Sequence, residues 1–94
     1  MEEEPGPKQL PIDGTIDLHS FRPDELGSLI PDYIEACLDE GIRHIRIIHG
    51  KGTGNLRRSV HALLERNPNV KSFSLASDHS GWGATVAELE DAVT

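Results

Sequence analysis

Hydrophobic periodicity in this chain switches between two and nearly four residues, and back again, along its length. That alternation limits the folds open to it more than any other feature. Over Thr15 to His19, Ile16 and Leu18 alternate with Asp17 and His19, a strand pattern that puts Asp17 and His19 on one face. Between Pro23 and Glu40 the apolar residues Leu26, Leu29, Ile30, Tyr33, Ile34, Cys37 and Leu38 recur at three- and four-residue steps, as on one stripe of a helix. Pro31 falls inside that stripe and lacks an N–H, which predicts two pieces or a kink. Ile42 to His49 reads as a second strand, with Ile45 and Ile47 on one face and Ile48 on the other. A glycine-rich turn, Gly50 to Asn55, leads into a second amphipathic helix carrying Leu56, Val60, Leu63 and Leu64. That helix ends before Asn67-Pro68-Asn69, and Val70 to Ala76 is a third strand with Phe73 and Leu75 inward. Ser77 to Gly83 reads as a loop. Ala84 to Leu89 fits either a strand, by alternation, or a helix, by its Ala and Glu content.

The order is therefore β-α-β-α-β followed by one ambiguous element. A strand, a crossover helix and a second strand imply parallel neighbours joined right-handedly. An α/β sandwich with helices covering the sheet follows. With 94 residues there is room for one such domain, expected over residues 15–94. Residues 1–14, rich in Glu, Pro and Gly, read as a flexible acidic tail.

The formal charge is −7, which by itself argues against non-specific affinity for nucleic acid or an anionic membrane. Its distribution says otherwise. Residues 1–40 carry a net −9, residues 41–72 a net +6 and residues 73–94 a net −4. Seven of the nine cations, Arg43, Arg46, Lys51, Arg57, Arg58, Arg66 and Lys71, thus bracket the glycine-rich turn. The pattern fits an anion-binding face on an acidic body, or equally a solvated basic strand edge and helix face. Apolar runs are too short to span a bilayer, and Met-Glu-Glu-Glu is unlike a secretory n-region. Cys37 is the single cysteine, so no internal disulfide forms, and zinc sites with two or more cysteine ligands are excluded. These features predict a cytoplasmic protein with no membrane association.

Candidate chemistry gathers around the strand ends. Asp17 and His19 share a face in the strand reading, and His49 ends the second strand. Parallel neighbours would deliver both imidazoles to their carboxyl ends, where open α/β sheets commonly bind ligands. Two imidazoles and a carboxylate there suit acid–base work near neutral pH. The plainer reading is that Asp17 fixes a loop and each histidine is a surface residue. The turn matches neither the Gly-x-x-x-x-Gly-Lys-Ser/Thr nor the Gly-x-Gly-x-x-Gly nucleotide fingerprint. A glycine-rich turn feeding a helix N-terminus still exposes N–H groups suited to a phosphate oxygen, with Lys51, Arg57 and Arg58 adding charge. The glycines could equally serve only the turn. Trp82, between Gly81 and Gly83, offers a surface for base stacking or a lid over the sheet edge. His61 is expected on the outer face of the second helix and His44 is expected to be structural. No spacing among Asp17, His19, His49 and His79 is a strong metal signature.

Three boxes in order carry a family resemblance. Ile16-Asp17-Leu18-His19 resembles a Leu-Asp-Leu-His box. His49-Gly50-Lys51-Gly52 with Thr53-Gly54-Asn55-Leu56-Arg57 resembles a His-Gly-x-Gly box and its Thr-Gly-x-Leu-Arg extension. Ser80-Gly81-Trp82-Gly83-Ala84-Thr85 resembles a closing Gly-Gly-x-Gly-Ala-Thr. Together they resemble the Smr (small MutS-related) domain over about residues 13–90, in its stand-alone form. Ser20 and Ser80 stand where the family has glycine. The resemblance implies a two-layer α/β sandwich of βαβαββ order, with a four-stranded, mixed, mostly parallel sheet and helices on one side. It is similar to the C-terminal domain of bacterial translation initiation factor three. It makes the last segment a strand.

The resemblance also implies binding of DNA or RNA and, in several members, endonuclease activity. The expected catalytic groups are Asp17, His19 and His49. The expected phosphate-holding groups are Gly50, Lys51, Gly52, Thr53, Gly54, Arg57, Arg58 and Trp82. A divalent metal such as magnesium is left open, as are protein partners. Two further readings stay open: a non-catalytic module for branched or structured nucleic acid, and a protein-interaction domain docking through the acidic tail and first helix.

Overall fold

The computed structural model describes residues 11–50, 54–76 and 83–91. The chain runs through β1 (Thr15–Asp17), a 3-10 turn at Leu18–Ser20, a second at Pro23–Glu25, α1 (Leu26–Asp39), β2 (His44–Ile48), α2 (Asn55–Arg66), β3 (Val70–Leu75) and β4 (Ala84–Leu89). The last element is a strand. The four strands form one sheet in the order β1-β2-β4-β3.

Strand burial alternates as the sequence pattern requires. Ile45 and Ile47 of β2 and Ala87 and Leu89 of β4 are buried, and so is Ile16 of β1. They form one core with Leu26, Ile30, Tyr33, Ile34 and Cys37 of α1 and Val60 and Leu64 of α2. Both helices therefore cover the same face of the sheet. The opposite face is open, with His44 exposed and Arg46, Ile48, Val86 and Glu88 half-buried. Among the described residues no helix is long and apolar enough to cross a membrane.

Three expectations change. First, β2 and β3 are not neighbours. β4 lies between them, parallel to neither, so β1–β2 is the parallel ladder and the two ladders of β4 are antiparallel. The sheet is mixed, as expected, and three strands point one way, although two of its three ladders are antiparallel. The crossover through α2 leaves a gap one strand wide. β4 is buried along its length, at Ala84, Thr85, Ala87 and Leu89, and fills that gap with both backbone edges paired.

Second, α1 is one helix with Pro31 inside it. Pro31 is its sixth residue, so the ladder loses a single bond to the Gly27 carbonyl near the helix start, and the apolar stripe from Leu26 to Cys37 holds the rest in place.

Third, packing begins ahead of residue 15. Ile12 packs against the core, and the Gly14 N–H donates to the buried Tyr33 hydroxyl at 3.1 Å. Burial pushes the Tyr33 phenol up to about 12, so it remains a neutral hydroxyl that can accept this bond. The start of β1 is fixed by that contact and by the Arg46 N–H, which donates to the Gly14 carbonyl at 2.7 Å.

Candidate active site and anion cleft

Strand β1 stops at Asp17 because the Asp17 side chain competes for the backbone. Its Oδ1 accepts from the His19 N–H at 2.9 Å and caps the 3-10 turn. Asp17 and His19 therefore do not share a strand face, as alternation had suggested. The turn brings them together instead. The same Oδ1 lies 2.7 Å from His19 Nδ1. A carboxylate can only accept, so Nδ1 carries the proton, and the neutral ring keeps its lone pair on Nε2. The backbone bond, then the imidazole bond, hold the Asp17 carboxyl below its usual range, so it is ionised wherever the protein is folded at neutral pH.

The free side of that imidazole rests over the turn after β2. Gly50 has φ +82°, and a Cβ built on it would lie 3.1 Å from His19 Nε2. Gly50 is thus required twice, by its backbone and by the ring beside it. Its N–H donates to the Gly83 carbonyl at 2.8 Å, as the His49 N–H does at 2.9 Å. The Gly50 amide is therefore committed inward and does not join the phosphate-holding donors.

His49 also takes a different place from the one expected. It is 4 % exposed. Its Nδ1 faces the Gly50 carbonyl at 3.0 Å and its Nε2 faces the Thr85 hydroxyl at 2.8 Å. Both ring nitrogens are occupied internally, so His49 forms the floor of the site and presents no nitrogen to a substrate. The two imidazoles are neighbours across Gly50, and internal bonds occupy both nitrogens of His49 but engage only Nδ1 of His19.

A cleft of about 310 Å³ opens beside this floor, lined by Pro23, His49, Gly50, Gly54, Arg57 and Ser59 among others. Helix α2 starts there from Gly54, at φ +90°, with no side-chain cap and no acidic residue in its first turn. Its positive end and first-turn amides thus face the cleft. Two guanidiniums add to that charge. Arg57 Nη2 would lie 2.9 Å, and Arg58 Nη1 3.8 Å, from a Cβ at Gly54. Arg58 also donates from Nη2 to Asn55 Oδ1 at 3.0 Å. Positive side chains at the positive end of an uncapped helix repel it mildly, and an anion in the cleft would answer both.

Two other described cations lie apart from this cluster. Arg43 pairs with Asp91 at 2.9 Å, while Arg46 belongs to the open sheet face. The basic third of the sequence is therefore divided between two faces. A larger trough of about 610 Å³ runs over the open face, where Asp13 and Glu88 share it with Arg46. Its His44–Glu88 pair stands at 4.0 Å, against 2.7 Å for His19 and Asp17. Size alone does not mark the site. Lys51, Gly52, Thr53 and Trp82 lie outside the described residues.

Sequence reasoning missed two groups. Thr85, wholly buried at the centre of the sheet, receives both His49 and His61. His61 is not on the outer face of α2: its Nε2 lies 2.7 Å from Thr85 Oγ1 and its ring packs on Phe73 with centroids 5.0 Å apart. One signal was available. His61 directly follows the core residue Val60, at the flank of the apolar stripe, where a polar tip can reach inward.

The family model of the Smr domain matches residues 16–90. The chain belongs to the Smr domain family. Endonuclease MutS2 of Halothermothrix orenii is 36 % identical over 84 residues, which are 88 % of this chain and 11 % of that protein. Endonuclease MutS2 of Maridesulfovibrio salexigens is 43 % identical over 75 residues, 79 % of this chain and 10 % of its own length. This Smr chain thus spans about a tenth of the curated relatives it matches. Among solved structures, the Smr domain of Thermus thermophilus MutS2 superposes with a TM-score of 0.77 at 31 % identity, covering 84 % of this chain and all of that one. YdaL, a stand-alone small MutS-related protein from Escherichia coli, superposes with a TM-score of 0.73 at 28 % identity, covering 83 % of this chain and 65 % of that one. The two-layer Smr fold with its four-stranded mixed sheet is therefore shared with both.

Proposed function

We propose that this Smr domain binds nucleic acid and cleaves phosphodiester bonds, with His19 as the proton-transfer group. The observation that carries this reading is the Asp17–His19 pair set against Gly50, which lines the cleft at the start of α2. The imidazole is held in one tautomer at 2.7 Å, with Nε2 close to Gly50, itself a lining residue of the cleft. The endonuclease name of the MutS2 relatives supports the same chemistry. His19 takes a proton from the attacking hydroxyl or returns one to the leaving oxygen. Asp17 holds the ring and stabilises its charged form. The first-turn amides of α2, with Arg57 and Arg58, hold the non-bridging phosphate oxygens and oppose the charge that builds there. Lys51, Gly52, Thr53 and Trp82 extend this proposal along the substrate strand. His49 is withdrawn from the acid–base role and acts on the site through Gly50.

A resident divalent metal does not fit the donors described. Asp17 Oδ1 and His19 Nδ1 are bonded to each other, and both His49 nitrogens are occupied. Asp17 Oδ2 and His19 Nε2 remain, two donors where a protein-held ion commonly takes three or more. No catalytic step is derived through a metal.

A nicking assay tests the proposal on supercoiled DNA, branched DNA and structured RNA, each with and without chelator. Wild-type protein should cleave at least one substrate, and His19→Ala should lose on the order of 10²–10⁴ in rate while still binding. Wild-type cleavage by His19→Ala would sink the catalytic assignment. Binding without cleavage by the native chain would favour a non-catalytic module. Absence of affinity for any nucleic acid at low salt would leave the protein-interaction reading in its place.

A further inference from the structure

The His49–Thr85–His61 cluster has a direction that its chemistry fixes. His49 Nδ1 faces the Gly50 carbonyl at 3.0 Å, and a carbonyl can only accept. The proton of neutral His49 is therefore on Nδ1, and its Nε2 is a bare acceptor. The group 2.8 Å from that Nε2 is the Thr85 hydroxyl, which must donate. Having one proton, the hydroxyl then accepts from the second ring, so His61 carries its proton on Nε2, 2.7 Å away. The chain reads His61 N–H to Thr85 O–H to His49, then His49 N–H to the Gly50 carbonyl. Thr85 is wholly buried and His49 nearly so, which leaves little room for water to stand in for a missing member.

Its end point is the residue under His19. The Gly50 N–H is tied to the Gly83 carbonyl and its C=O to His49, so both polar groups of this left-handed glycine are pinned. The His19 ring rests on the third side of the same residue. A shift of the Gly50 peptide moves the surface that sets where His19 Nε2 lies relative to the α2 end.

We propose that Thr85 and His61 are positioning residues of the phosphate cleft. Acting through His49, they hold the Gly50 peptide in the orientation that seats His19. The inference deepens the nuclease reading and rests on it for its effect on rate. Its effect on geometry stands independently. A merely structural role for the cluster, filling the core and satisfying a buried hydroxyl, would change stability without changing Gly50.

The test combines nitrogen-15 imidazole NMR, amide exchange and steady-state nicking on the full chain. In the native protein His49 should show the Nδ1–H tautomer and His61 the Nε2–H tautomer. Thr85→Val keeps the shape and removes the hydroxyl. It should mix the His49 tautomers, speed Gly50 amide exchange, and lower kcat about ten- to a hundred-fold with KM little changed. Thr85→Ser, which restores the hydroxyl, should recover all three. His61→Phe, which keeps a ring beside Phe73, should move the same signals in the same direction by less. It also serves if Thr85→Val does not fold. An unaltered His49 tautomer and unaltered Gly50 exchange in these variants would overturn the proposal, whether or not the native chain cuts. So would equal losses in Thr85→Ser and Thr85→Val. If the native chain neither binds nor cuts, the nuclease reading fails, and the NMR signals alone decide the positioning role.

Discussion

The His19 imidazole takes the space that a side chain on residue 50 would need: a Cβ on Gly50 would stand 3.1 Å from His19 Nε2. The histidine and the glycine lie in the turns that follow two neighbouring strands, 31 positions apart in sequence. Gly50 supplies the flat surface, and Asp17 supplies the bond that turns the ring onto it.

Gly50→Ala should therefore fail in two separable ways. A left-handed φ costs a non-glycine residue roughly 1–2 kcal/mol, which thermal unfolding should register as a lower midpoint. The added methyl should also displace His19, and cleavage should fall by more than the lost stability explains when assayed well below the midpoint. An alanine variant with native melting and native cleavage would contradict the placement of His19.

Arg57 is proposed as a binding residue that weakens the free fold. It sits in the first turn of a helix with no acidic residue there, at the end where positive charge is unfavourable. Arg57→Gln should leave the unliganded domain unchanged or more stable by about 0.3–1 kcal/mol at low salt. The same change should weaken nucleic-acid binding and reduce the slope of log affinity against log salt by about 0.9 on duplex DNA. A fall in both stability and salt slope would show that the guanidinium holds the helix rather than a phosphate.

Two groups should leave distinct marks on stability against pH. Burial, then the neighbouring His49 and Arg57 charges, lowers the His61 pKa from 6.5. The unfolded chain then binds more protons than the folded one as pH falls through 6.5, so stability should decline from there until pH passes below the folded value. His61→Gln should flatten that limb of a melting-temperature profile. Asp17 is lowered from 3.8, chiefly by the His19 backbone bond. Its contribution is complete above 3.8 and is lost as pH falls through its folded value, a separate and more acidic limb that Asp17→Asn should remove. A native profile level between pH 7 and 5 would count against the half-buried position of His61.

Much of the fold follows from local pattern. The three- and four-residue steps in α1 and α2 mark the stripes that meet the sheet. The alternation in β2 puts Ile45 and Ile47 inward, where they are found. Helix α2 also begins at Asn55, directly after Gly54, where the glycine-rich segment ends. Such features are legible because each depends on residues within a turn or two of chain, and burial rewards that spacing in any tertiary setting.

The chain neighbours of β4 and the partners of the histidines were not legible in this way. Antiparallel insertion of β4 between β2 and β3 depends on which backbone edges remain unpaired once the α2 crossover is made, a property of the assembled sheet. His49 and His61 look alike as sequence, each a polar residue beside an apolar one. Packing β4 beneath α2 puts the Thr85 hydroxyl between them and draws both inward, because a buried hydroxyl without partners is costly. Local pattern was enough for the layers, the stripes and the residue types at the cleft. Tertiary packing decided which histidines turn inward, because the bonds that occupy their ring nitrogens join residues 24 and 36 positions apart.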